Sequence, residues 1–195
     1  MSYEEDVLNF LAKQENLHIA FEVADYVQKL KEDTQRKFWS AFSNQMRVRI
    51  ENSDFREKWK FDPYPMSKLK ANGKGCWLIP KAVNKSVPRL VFQQSSHTDE
   101  YRLLFGLFWD YRGDFSHPVM LEMKQMLIQR NLTKENEWWF GWNWYKYRAQ
   151  GEVLIAKMHQ DLENTIDEVV DDFWQFFLEF QPLIEDIIID IPEKE

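Results

Sequence analysis

The last thirty residues constrain this chain more than any other segment. Leu162, Ile166, Val169, Phe173, Phe177, Phe180, Ile184, Ile187 and Ile191 advance by three or four positions throughout, which is the signature of one long amphipathic helix. A stripe of that length needs an apolar surface of matching length, so the rest of the chain must supply one. Pro182 lies inside the pattern, where a missing N–H and a clash with the preceding turn predict a kink or break near Phe180.

The middle of the chain reads as that surface. Strand-like runs occur at 76–80 (CWLIP), 89–94 (RLVFQQ) and 101–111 (YRLLFGLFWDY). The last alternates, with Tyr101, Leu103, Phe105, Leu107 and Trp109 on one face. A helix follows His117-Pro118 through about Gln129, carrying Val119, Met123 and Met126.

The run WWFGWNWYKYR at 138–148 is the next strand. Period two separates Trp138, Phe140, Trp142 and Trp144, read as the core face, from Trp139, Gly141, Asn143, Tyr145 and Tyr147. Gly106 and Gly141 mark places where backbone or a large ring comes close.

The first fifty residues read as helices at 7–11, at 19–30 and from about Asp33 or Thr34 onward, the last with an apolar stripe of Phe38, Phe42, Met46 and Ile50. Residues 52–75, with Pro63, Pro65, Gly73 and Gly75, read as loop and turn. The expectation is therefore one α+β domain over 1–195. It comprises a helical part at 1–51, an antiparallel sheet of about four strands with one inserted helix at 76–147, and a C-terminal helical part at 150–191.

Several classes of function find no support. The acidic N-terminus lacks a basic n-region and no apolar run approaches the roughly 18 residues of a membrane span, so a cytoplasmic protein without membrane contact is expected. The single cysteine, Cys76, heads an apolar run and reads as a small core residue rather than a nucleophile. His18, His97, His117 and His159 occur singly, and there is no Gly-rich phosphate loop and no GxSxG. No catalytic residue, metal ligand or cofactor is therefore assigned. The one constellation with nuclease chemistry is Asp114 with Glu122 and Lys124, an acid followed by ExK, but it falls on a helix rather than the strand such a site needs.

Charge is unevenly spread within the net −7. From Arg36 to Arg89 there are 13 Lys+Arg against 4 Asp+Glu, or +9; from Gln150 onward there are 2 against 13, or −11. Lys58, Lys60, Lys68, Lys70 and Lys74, interleaved with Trp59, Phe61, Tyr64 and Trp77, could serve a nucleic acid by phosphate contact and stacking. The alternative is that the basic segment faces the acidic helix of its own fold or simply stays solvated. That helix in turn, with Asp161, Glu168, Asp172, Glu179 and Asp186, reads as a solvated face, as an inhibitor that mimics DNA, or as a surface that docks onto a basic partner.

Four segments carry a resemblance. ENLHIAFEVADYVQKLKEDTQRKFW at 15–39, YRLLFGLFWDYRGDF at 101–115, WWFGWNWYKY at 138–147 and the acidic C-terminal helix resemble the C-terminal region of a family of bacterial PD-(D/E)XK nuclease-superfamily proteins. The nuclease core of that family has no counterpart here, so the resemblance implies an accessory domain and no catalytic residue. Such a domain would contact nucleic acid, a nuclease or defence-related complex, or another copy of itself. The leading expectation is a non-enzymatic interaction protein with Trp139, Asn143, Tyr145 and Tyr147 as its contact surface; the competing one is that helices cover both faces of the sheet and every tryptophan is core.

Overall fold

The computed structural model describes residues 2–64, 74–81, 88–95, 101–109 and 118–190. In chain order the elements are α1 (Tyr3–Leu11), α2 (Gln14–Glu51), β1 (Trp59–Tyr64), β2 (Gly75–Pro80), β3 (Arg89–Gln94), β4 (Arg102–Phe108), α3 (Pro118–Gln129), β5 (Trp139–Arg148), α4 (Glu152–Gln160) and α5 (Leu162–Asp190). The five described strands form one antiparallel sheet in the order β1-β2-β3-β4-β5. The α+β class is as expected, with one strand more than the sequence suggested.

That extra strand is β1, which pairs with β2 from Trp59↔Pro80 to Tyr64↔Gly75. Its Pro63 reads as loop chemistry in isolation, but an edge strand tolerates a proline whose missing N–H points away from the ladder. Opposite β1, the outer side of β5 is bridged by Lys134, which pairs with Trp142.

Two expected helices at the N-terminus are one. α2 runs unbroken for 38 residues, about 57 Å at 1.5 Å per residue. Asp33, read as a cap, instead pairs with Arg36 and Lys37 one turn on. Conversely, the C-terminal part divides at Asp161, whose carboxylate accepts from the Asn164 amide at 3.1 Å and starts α5. No break follows at Pro182: α5 is continuous, because Phe180, Leu183, Ile184 and Ile187 on either side of it are buried while Pro182 itself is exposed.

One face of the sheet is the core. Trp59, Cys76, Leu78, Leu90, Phe92, Leu103 and Leu107 lie on it, and α2, α3, α4 and α5 all send buried apolar side chains to the same cluster. Phe42 of α2, Phe92 of β3 and Phe173 of α5 meet at its centre, with ring centroids 4.9 to 6.1 Å apart. Cys76 is fully buried, and burial pushes its thiol pKa well above the ordinary value, which makes it the core residue expected.

Gly106 and Gly141 are close approaches, as their placement in the strands suggested. A Cβ on Gly106 would lie 2.3 Å from the Gly141 carbonyl oxygen, and one on Gly141 would lie 2.7 Å from Leu127 Cδ1.

Candidate functional site

The tyrosines expected on an open surface point the other way. Gly141 pairs with Leu107 and Asn143 with Phe105, and that register puts Gly141, Asn143, Tyr145 and Tyr147 on the helix-covered face. Tyr145 packs edge-on to Phe92 and Phe105 at 5.6 and 5.7 Å, and Tyr147 is buried. The face assignment of β5 is thus inverted for these residues. The cause is chemical: a buried tyrosine needs a partner for its hydroxyl, and α5 supplies acids. The Tyr145 hydroxyl donates to Asp172 at 2.6 Å and the Tyr147 hydroxyl to Glu168 at 2.9 Å. Asn143 donates to the Asn131 carbonyl at 2.6 Å, tying β5 to the end of α3.

Around these acids lies a dense ionic network. Lys146 reaches Glu168 at 2.6 Å and Asp172 at 2.9 Å, and Lys157 reaches Glu168 at 3.1 Å. The Lys146 ammonium, with Lys157 and the Tyr147 hydroxyl, holds the Glu168 carboxyl down at about 2. Burial and the Asp172 carboxylate push the Tyr145 phenol far above its ordinary value. The arrangement fastens a strand to a helix, and each charged group in it is already paired.

The opposite face of the sheet carries Trp142 and Trp144, which the sequence placed in the core. They pair with Gly106 and Leu104 respectively. An irregularity between Leu107 and Phe108 sets Phe140 beside Trp109 on the core side and Trp139 beside Phe108 on the other. Trp77, Phe108, Trp139, Trp142 and Trp144 form a chain of ring contacts on or near this face. Cations cap it: Arg89 lies over Trp77, Arg102 over Trp144, and Lys134 over both Trp142 and Trp144, all within about 5 Å. Trp142 Nε1 is buried without a hydrogen-bond partner.

The basic segment is not gathered into one patch among the described residues. Lys58 pairs with Glu185 of α5 at 2.9 Å, Lys60 approaches Asp62 at 4.0 Å, and Lys74 donates to Gln35 at 3.2 Å with its pKa lowered chiefly by burial. Lys68 and Lys70 lie outside the described residues. Acids of α5 are likewise engaged: Asp171 by Arg49, Glu179 by Arg130 and Glu185 by Lys58 and the Trp59 indole. Much of the charge asymmetry is therefore met inside the fold.

The nuclease-like residues do not come together either. Glu122 is exposed on α3, and Lys124, two residues on, lies over the Phe140 ring and pairs with Glu135. Asp114 lies outside the described residues. Among the described residues, no three His, Cys, Asp or Glu side chains are grouped to hold a metal ion, and no helix is long and apolar enough to cross a membrane.

What the sequence did not reveal is an arm. α1 has no buried residue, and the buried residues of α2 begin only at Thr34. The helix therefore leaves the core with some twenty residues that bury nothing against the described part of the body. Twelve of the eighteen exposed large apolar side chains among the described residues lie between Tyr3 and Leu30, including Phe21 and Tyr26 at 66% exposure each.

Local chemistry still favours helix here. Ser2 caps α1 through a reciprocal capping box with Glu5, and Asn16 donates to the Phe10 carbonyl at 2.8 Å across the α1–α2 corner. At its root the arm is pinned by a buried amide cluster: Gln35 donates to Gln94 at 2.6 Å, and the Trp39 indole donates to the same oxygen at 3.1 Å.

A signal for the arm was present in the segment 15–32. Six of its polar residues, Glu15, His18, Glu22, Asp25, Lys29 and Glu32, form one narrow line, while between Leu17 and Val27 every residue off that line is apolar. That is more apolar surface than packing on one side requires. No protein-family model, no curated protein and no solved structure matches the chain.

Proposed function

We propose that this protein is a non-catalytic interaction module whose contact element is the arm formed by α1 and residues 14–33 of α2. The observation that carries the reading is the concentration of exposed large apolar side chains between Tyr3 and Leu30, away from the core. Contiguous apolar patches beyond a few hundred Å² mark interaction sites on soluble proteins. Helices in proteins draw most of their stability from packing an apolar face, and the arm has none packed on the body.

The resemblance to an accessory region of PD-(D/E)XK nuclease-superfamily proteins agrees with such a role and names a nuclease or defence-related complex as the class of assembly. Nucleic-acid binding through Lys58, Lys60 and Lys74 is less well supported, since each already has an intramolecular partner.

The test is a triple substitution, Phe21→Glu, Val23→Glu and Tyr26→Glu, which touches no core residue. The body should melt at an unchanged temperature while the variant loses the protein associations that the wild type shows in a nuclease-treated pull-down from its own cells. Retention of every association would refute the arm as the contact element.

A further inference from the structure

The order of charges along α2 identifies what covers the arm. With Val23 placed at heptad position a, Ile19, Val23, Tyr26 and Leu30 occupy successive d, a, d and a positions on one side of the helix. All four are exposed, from 41% at Leu30 to 66% at Tyr26. Flanking them at intervals of seven, Glu15, Glu22, Lys29 and Arg36 fall on g, in the order acid, acid, base, base. The opposite flank, position e, holds the uncharged Ala20, Val27 and Thr34.

Two orientations treat this pattern differently. In a parallel pair, g of one helix faces e of the other, so the four charges would meet Ala, Val and Thr. In an antiparallel pair g faces g, and a two-fold axis near residues 24–25 sets Glu22 against Lys29 and Glu15 against Arg36 of the second copy, each twice. The same axis packs Val23 on Tyr26 and Ile19 on Leu30.

Resting on the reading of the arm as the contact element, we infer that its occupant is the arm of a second copy of this chain, paired antiparallel through Ile19, Val23, Tyr26 and Leu30. Within one chain the flanking charges have only weak, exposed partners: Glu22 lies 3.6 Å from His18, and Lys29 sits over the Tyr26 ring at 5.4 Å. Arg36 pairs with Asp33. Exchanging these for partners in a second copy costs little.

Residues 14–33 span about 30 Å, so the two bodies lie at opposite ends of the pair. Twelve exposed side chains at about 80 Å² each offer about 1,000 Å² per copy, against roughly 800 Å² in a standard interface. The seam itself, four of those twelve side chains, takes about a third of that, which puts the pair among small, weak interfaces.

The experiment is sedimentation of the full-length chain over a concentration series, for the wild type, Glu22→Lys, Lys29→Glu and an equimolar mixture of the two variants. Both positions are exposed, so circular dichroism should show both variants folded. The wild type should dimerise, and each variant alone should dissociate about tenfold more readily because it sets like charges opposite each other. The mixture should recover wild-type affinity, since both of its cross-pairs are Lys–Glu.

A wild type that stays monomeric throughout overturns the second copy as occupant. If the triple arm variant nevertheless loses its pull-down partner, the arm remains the contact element and only this inference fails. A dimer indifferent to both substitutions, or one not restored by mixing, overturns the antiparallel register.

Discussion

Gly106 pairs with Trp142 across the β4–β5 ladder, next to Gly141, so closely that a methyl group on Gly106 would sit 2.3 Å from the Gly141 carbonyl oxygen and 2.6 Å from Trp142 Cβ. Backbone cannot give way as a side-chain tip can. Gly106→Ala should therefore lower the free energy of unfolding by about 3 kcal/mol or more, measured by urea denaturation. Gly151→Ala is the control: its new methyl meets first the Arg148 Cβ at 2.9 Å, on a chain segment at the surface, and should cost clearly less.

Acid should loosen the junction of β5 with α5. The Glu168 pKa is depressed from 4.5 to about 2 by Lys146, Lys157 and Tyr147. A carboxylate whose folded pKa lies below its unfolded value contributes stability that is present above the unfolded pKa and lost as pH falls toward the folded one. The window is thus between 4.5 and about 2. Because Glu168 is about one-third exposed, solvent screening reduces the effect to roughly 1 kcal/mol. Glu168→Gln should flatten the stability profile across that window, and an unaltered profile would refute the assignment.

Two tryptophans should respond differently to the same change. The Trp59 indole N–H donates to Glu185 at 2.8 Å from a fully buried ring, whereas Trp142 Nε1 has no partner. Trp59→Phe removes volume and leaves a carboxylate short of a donor, at about 2–3 kcal/mol. Trp142→Phe removes an unsatisfied donor along with ring contacts, so its cost should stay near 1 kcal/mol. Thermal midpoints of the two variants would rank them.

Pro182 withholds a hydrogen bond from α5 without packing in the core, since it is exposed on a continuous helix. Pro182→Ala restores the amide and relieves the clash with the preceding turn, and should stabilise the fold by about 1–3 kcal/mol. A lower melting temperature would mean that the local geometry of α5 depends on the ring.

Where the sequence was readable, one physical term dominated. The stripes of α5 and of α2 beyond Thr34, the core face of β4 and the two strand glycines all follow from periodicity or from the space a Cβ needs. Strand β5 was misread because both of its faces are aromatic, so hydropathy could not choose between them. What chose was hydrogen-bonding capacity, which sends tyrosine hydroxyls to acids and leaves indoles under cations. β1 was hidden by Pro63, and the union of the N-terminal helices by an Asp33 that bonds forward in a helix instead of capping one. The arm was missed because an apolar helix is expected to be covered by its own chain.

The sheet's two margins bear on how this protein can assemble at all. The edge strand β1 carries Lys60, Asp62 and Pro63, and β5 is bridged by the segment at Lys134. A proline and two charges on one margin, and a bridged segment at Trp142 on the other, make both poorer templates for a foreign strand. Growth of the sheet from molecule to molecule, the usual hazard of an aromatic-rich meander, is thereby discouraged. Association is thereby steered toward surfaces where side chains rather than backbone amides decide the partner, and can be specific.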